Sequence, residues 1–109
     1  MEFLVAFDIQ VPEGTREAEV DQRMRAEAAA SARLARERHL VRLWKPPAAP
    51  GEMKALGLYR ADSEAQLNGL LDALPLSGWM QITVTPLEPH PNDPQVVPGT
   101  GCLSSQILA

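Results

Sequence analysis

Apolar and other positions alternate from Phe3 to Val11. Phe3, Val5, Phe7, Ile9 and Val11 share one face, and Leu4, Ala6, Asp8 and Gln10 share the other. This period predicts a strand with one fully apolar face and one mixed face. Pro12-Glu13-Gly14 ends it. A helical period follows. Thr15 is the expected N-cap, with Glu17 and Glu19 complementing the positive end of the helix dipole, and the helix is expected to run to about Arg38. At about 100° per residue, Val20, Met24, Glu27, Ser31 and Leu34 fall within roughly 80° of one another. Four of these suit a buried stripe. The fifth, Glu27, is a carboxylate near the centre of that stripe, and ionised carboxylates rarely lie there without a partner or a task.

Further along, His39 to Lys45 predicts a second strand, with Leu40, Arg42 and Trp44 on one face and Val41, Leu43 and Lys45 on the other. The loop Pro46-Pro47-Ala48-Ala49-Pro50-Gly51 cannot continue either element. Lys54 to Arg60 predicts a third strand, in which Gly57 implies a bulge or the close approach of another group. Ser63-x-x-Gln66 is a capping box. It opens a helix whose Leu67, Leu70, Leu71 and Leu74 are core positions and which Pro75 stops. Trp79 to Thr85 predicts a fourth strand, Met80, Ile82 and Val84 inward and Trp79, Gln81, Thr83 and Thr85 outward. From Pro86 the chain carries five prolines and two glycines before an apolar end, Ile107-Leu108-Ala109. That is the composition of an arm, either disordered or laid across a neighbouring subunit.

The order β-α-β-β-α-β is that of the α+β ferredoxin-like unit, a four-stranded antiparallel sheet with both helices on one face. The other face is too apolar in parts to remain bare. A second copy covering it would make a dimeric α+β barrel with a cavity between sheet and cover.

Composition narrows the function. A chain of 109 residues is one domain with a modest core. The net charge of −4, with ten basic residues in no dense run, argues against a nucleic-acid partner. One cysteine, Cys102, excludes an intramolecular disulfide, and His39 and His90 match no zinc spacing. There is no phosphate loop, nucleophile elbow, targeting signal or apolar run of membrane length. The expectation is a cytoplasmic protein whose chemistry, if it has any, uses acids and bases without metal or cofactor.

The segment Leu74-Pro75-Leu76-x-x-Trp79-Met80-x-Ile82-x-Val84-x-x-Leu87-x-x-His90-Pro91 resembles a run typical of the muconolactone Δ-isomerases. Leu34-x-Arg36-Glu37 and Arg42-Leu43-Trp44-Lys45 are similar to two more of that family's segments, and Glu27 falls on a family glutamate. The resemblance covers residues 1 to about 92, leaving 93–109 as the arm. It implies a ferredoxin-like subunit, intersubunit sites and ring-shaped homo-oligomers built from barrel dimers, typically decamers. It also implies cofactor-independent proton transfer within a small unsaturated lactone or enol acid, in aromatic breakdown. The chain departs from the family at Leu4 and Ala6, where basic or imidazole side chains are usual, at Glu52-Met53, where a His-Tyr pair is usual, and in the long Pro46–Pro50 loop.

Glu27 is therefore the candidate proton shuttle, and Arg42, Trp44, Lys45, Trp79 and His90 are candidate substrate-binding residues. Arg for a carboxylate and Trp for a flat ring could clamp an anionic ligand. A structural ion pair between Glu27 and Arg42, and a Trp44 at a subunit contact, are the alternatives. So are a cofactor-free oxygenase or cyclase acting on a more apolar aromatic or polyketide-like compound, and a non-catalytic binding protein on the same fold.

Overall fold

The computed structural model describes residues 1–96. Alternation in the first stretch yields β1 (Glu2–Ile9), and the helical stretch yields α1 (Glu17–Arg36). Then come β2 (Leu40–Trp44), β3 (Met53–Arg60), α2 (Glu64–Asp72), a single 3₁₀ turn at Ser77–Trp79 and β4 (Met80–Leu87). The four strands form one antiparallel sheet in the order β2-β3-β1-β4. The tail expected for 93–109 lies mostly outside the described residues.

The inward face of β1 behaves as its period requires. Phe3, Val5 and Phe7 are buried and pack with Tyr59 of β3, Leu34 of α1, and Leu67, Leu71 and Leu74 of α2 and its end. Both helices thus cover the same face of the sheet, with Phe7 and Tyr59 meeting edge to face at a centroid distance of 6.1 Å. On α1, the five stripe residues are all at least half-buried. The only other positions of that helix to be so are Arg23 and Ala30, which continue the same three-and-four spacing.

Local chemistry differs from the expected pattern at several points. Thr15 does not cap α1. Its hydroxyl donates to Pro12 O at 2.6 Å inside the preceding turn, and the N-cap position is Arg16, whose side chain makes no capping bond. Turn geometry claims the hydroxyl before the helix can use it. At the other end α1 closes with His39 N–H donating to Leu34 O and Arg38 N–H to Ala35 O, a Schellman arrangement. It places Arg38 at φ 68°, the left-handed region usually given to glycine. The capping box of α2 forms, but its return bond lands one residue early. Ser63 Oγ accepts from Gln66 N–H, while Gln66 Oε1 accepts from the Asp62 amide.

β2 carries a correction with functional weight. Leu40 pairs with Tyr59 but Arg42 pairs with Leu58, so an irregularity at Val41 breaks the register. Leu40 therefore shares the helix-covered face with Tyr59, while Arg42 and Trp44 share the open face with Leu58 and Leu56. The three do not lie on one face. The irregularity is in β2, not at Gly57. What Gly57 admits is a close approach: a Cβ there would lie 2.6 Å from the ring carbon Cε1 of Tyr59.

The open face follows from the register. One row across the sheet reads Arg42, Leu58, Leu4, Thr85, and the next reads Trp44, Leu56, Ala6, Thr83. Glu2 and Arg60 sit directly opposite each other and pair at 2.8 Å. Residues after β4 return toward that end of the sheet. Pro89, Asp93, Gln95 and Val96 enclose with Glu2, Leu58 and Arg60 a concavity of about 580 Å³.

Candidate active site

Glu27 projects from α1 on the helix-covered side of the sheet and is half-buried. Its Oε1 accepts the backbone N–H of Leu76 at 3.0 Å. That donor is available because the chain leaves α2 at Pro75 and turns through Ser77–Trp79, so the Leu76 amide serves no helix or strand. Burial pushes the Glu27 carboxyl above its ordinary value of 4.5, and the bond from Leu76 pulls it part of the way back. Among the described residues no fully buried side-chain oxygen or nitrogen lacks a partner. The second carboxylate oxygen of Glu27, which bonds to no described residue, therefore keeps access to solvent.

Arg23 lies one turn before Glu27 and holds the other end of the same peptide unit. Its Nη1 donates to Pro75 O over a long 3.4 Å, while Leu76 N–H of that unit serves Glu27. Its guanidinium also stacks 4.6 Å from the centroid of the Trp79 ring and pairs with Glu19 at 3.4 Å. Arg23 lines an open cavity of about 520 Å³ together with Arg16, Glu19, Gln22 and Pro75. Buried close by, Tyr59 is pushed up to about 12 by burial and by the negative charge of Glu27.

The candidate residues named from sequence fall into separate places. Glu27 and Trp79 lie together, on either side of Leu76. Trp79 is not on the open face, because the 3₁₀ turn takes it out of β4 and brings it under Arg23. Arg42 and Trp44 occupy the open face, where the Arg42 guanidinium sits 5.0 Å from the Trp44 ring and covers the plane expected to receive a ligand. Lys45 follows β2 and is exposed. His90 is exposed after β4, and its Nδ1 accepts the Asn92 amide at 3.0 Å. Because the sheet separates Arg42 from Glu27, Arg42 is not the ion-pair partner of Glu27 within one subunit. The partner is the Leu76 amide. The residue that sequence reasoning missed is Arg23. Its signal was available: it stands four residues before Glu27, beside the stripe.

Among the described residues, no helix is long and apolar enough to cross a membrane, and no group of three or more His, Cys, Asp or Glu side chains gathers as a metal site would. A family model described as muconolactone delta-isomerase matches residues 1–93. Muconolactone Delta-isomerase 1 of Acinetobacter lwoffii is 32% identical over 92 residues, 84% of this chain and 93% of that protein. The muconolactone Delta-isomerase of Cupriavidus pinatubonensis is also 32% identical over 92 residues, covering 97% of that protein. The crystal structure of a muconolactone isomerase superposes with a TM-score of 0.75 at 28% identity, covering 84% of this chain and 92% of that one. A 5-chloro-2-hydroxyhydroquinone dehydrochlorinase from Burkholderia phenoliruptrix shares the fold at a TM-score of 0.61 and 15% identity. With its sheet order, its two helices on one face and a family match spanning nearly all the described residues, the chain belongs to the muconolactone Δ-isomerase family.

Proposed function

We propose that this protein is a cofactor-independent isomerase that moves a proton within a small unsaturated lactone or enol acid, muconolactone being the substrate the family points to. The observation that carries the reading is Glu27. It is a half-buried carboxylate with one oxygen fixed by the Leu76 amide and the other open to solvent, raised by burial toward the pH at which a base both accepts and returns a proton. In the reaction, the open oxygen removes a proton from a carbon next to the double bond. The electron pair shifts along the conjugated system to an enolate, and the same carboxyl returns the proton two carbons away. No atom is gained or lost, so no oxidant or second substrate is required.

The functional unit in this reading is a homo-oligomer built from barrel dimers. Leu4, Leu56 and Leu58 form an apolar strip across the open face, and Trp44 at the edge of that strip is 38% exposed. A second copy laid on this face would bury them, with Arg42 and Trp44 at the contact. Light scattering on the full chain is expected to give a multimer, and a well-folded monomer at micromolar concentration would overturn this part.

The test of the activity is direct. Protein dialysed against chelator is mixed with muconolactone in deuterated water, and the double-bond shift is followed by NMR. The expected result is isomerisation without added metal or cofactor. Absence of any shift with a folded, multimeric protein would overturn the assignment.

A further inference from the structure

Arg23 has neighbours on three sides and still has donors to offer. Glu19 pairs with one edge of the guanidinium, Pro75 O takes one N–H, and the Trp79 ring covers one face. The remaining N–H groups have no partner among the described residues. The side chain lines the 520 Å³ cavity, where Arg16 and Arg23 outnumber the single carboxylate of Glu19. That is an environment for an anion, presented by a planar group stacked on the Trp79 ring. Its place relative to Glu27 is also set. The two side chains grip opposite sides of the Pro75–Leu76 peptide, the guanidinium at its carbonyl and the carboxylate at its amide, so the cation and the bonded Glu27 oxygen stand on the order of 8 Å apart, a gap that a small acid contacting both can span.

We propose that Arg23, held against Trp79, is the substrate-binding residue that receives the carboxylate of the lactone acid and so presents its acidic C–H bond to Glu27. This rests on Glu27 as the base. A small acid lying along the Pro75–Leu76 peptide reaches both groups, with its carboxylate on the Arg23 donors and its ring carbons toward the Glu27 oxygen. Arg42, on the other side of the sheet of the same subunit, does not have that relation to Glu27. The pairing selects acids over neutral lactones, because an ester leaves the Arg23 donors without an anionic partner.

Isothermal titration of the full-length protein with the saturated analogue of muconolactone, which has no double bond to shift, and with the methyl ester of that acid tests this without relying on turnover. The acid is expected to bind the wild type at least 10-fold more tightly than the ester, and Arg23→Gln is expected to remove most of that preference by weakening acid binding on the order of 10-fold or more. The acid-to-ester ratio is insensitive to a general loosening of the Pro75 turn, which weakens both ligands alike. An unchanged ratio in a folded Arg23→Gln protein would overturn the proposal, and so would an absence of acid binding to the wild type. Acid selectivity that depends on Arg23 in a protein without turnover would leave this inference standing and refute the catalytic reading instead.

Discussion

The carboxylate of Glu27 crosses from α1 to accept the backbone amide of Leu76 at 3.0 Å, so it is positioned by a peptide group and not by a cation. A neutral partner fixes the carboxylate without strongly favouring its charge, which is why burial prevails and the group is raised.

This has a stability consequence with a definite sign. A carboxyl raised in the folded state binds its proton more tightly there than in the unfolded chain. Its favourable contribution is complete below the ordinary carboxylate range and is lost as pH rises through the folded value. Glu27→Gln keeps an oxygen for the Leu76 amide and removes the titration. The variant is expected to be more stable than wild type at neutral pH, the difference shrinking as pH falls through the raised folded value and vanishing below the ordinary carboxylate value of about 4. Glu27→Ala leaves the amide without an acceptor and is expected to be less stable than Glu27→Gln by roughly 1–3 kcal/mol. Urea denaturation of the three proteins across this pH range checks both.

The chain has one tyrosine, so phenolate absorbance reports Tyr59 alone. Ionisation is expected at about 12 in the folded protein. Because this acid is also raised, the stability it contributes is present below about pH 10 and falls as pH climbs toward the folded value. Tyr59→Phe is expected to flatten that alkaline loss. Ionisation at the ordinary value in a folded sample would show that the ring is more open than described.

Gly57→Ala places a methyl group 2.6 Å from Cε1 of Tyr59, whose ring is 2% exposed and cannot retreat. Overpacking of this kind is expected to cost roughly 1–3 kcal/mol. A denaturation midpoint equal to that of wild type would mean that the sheet yields there at no cost.

Arg38→Gly relieves a left-handed conformation at φ 68° in the Schellman turn that ends α1. The gain is partly offset by the greater freedom of glycine in the unfolded chain. A net stabilisation of roughly 0.5–1 kcal/mol is expected from thermal or urea unfolding.

The parts of the fold legible in the sequence are those with a period. Phe3, Val5 and Phe7 announced the core face of β1, and the spacing from Val20 to Leu34 announced the buried side of α1 with Glu27 on it. What the sequence concealed were single-residue events. The irregularity at Val41 reverses Leu40 against Arg42 and Trp44, and β-branched valine gives no hint of it. One 3₁₀ turn moves Trp79 from a strand face to a place beneath Arg23, although Trp79-Met80 reads as the start of a strand. The Leu76 amide left no trace because a backbone donor has no letter of its own. An arginine partner for Glu27 is therefore what the sequence suggests.

The central claim is that Glu27 carries the proton, and kcat/KM for muconolactone in Glu27→Gln tests it most directly, measured beside the unfolding midpoint of the same sample. A fall on the order of 10² or more is expected with the midpoint unchanged or higher, since the glutamine keeps the Leu76 bond and loses only the titrating group. Full activity in a stable Glu27→Gln protein would contradict it.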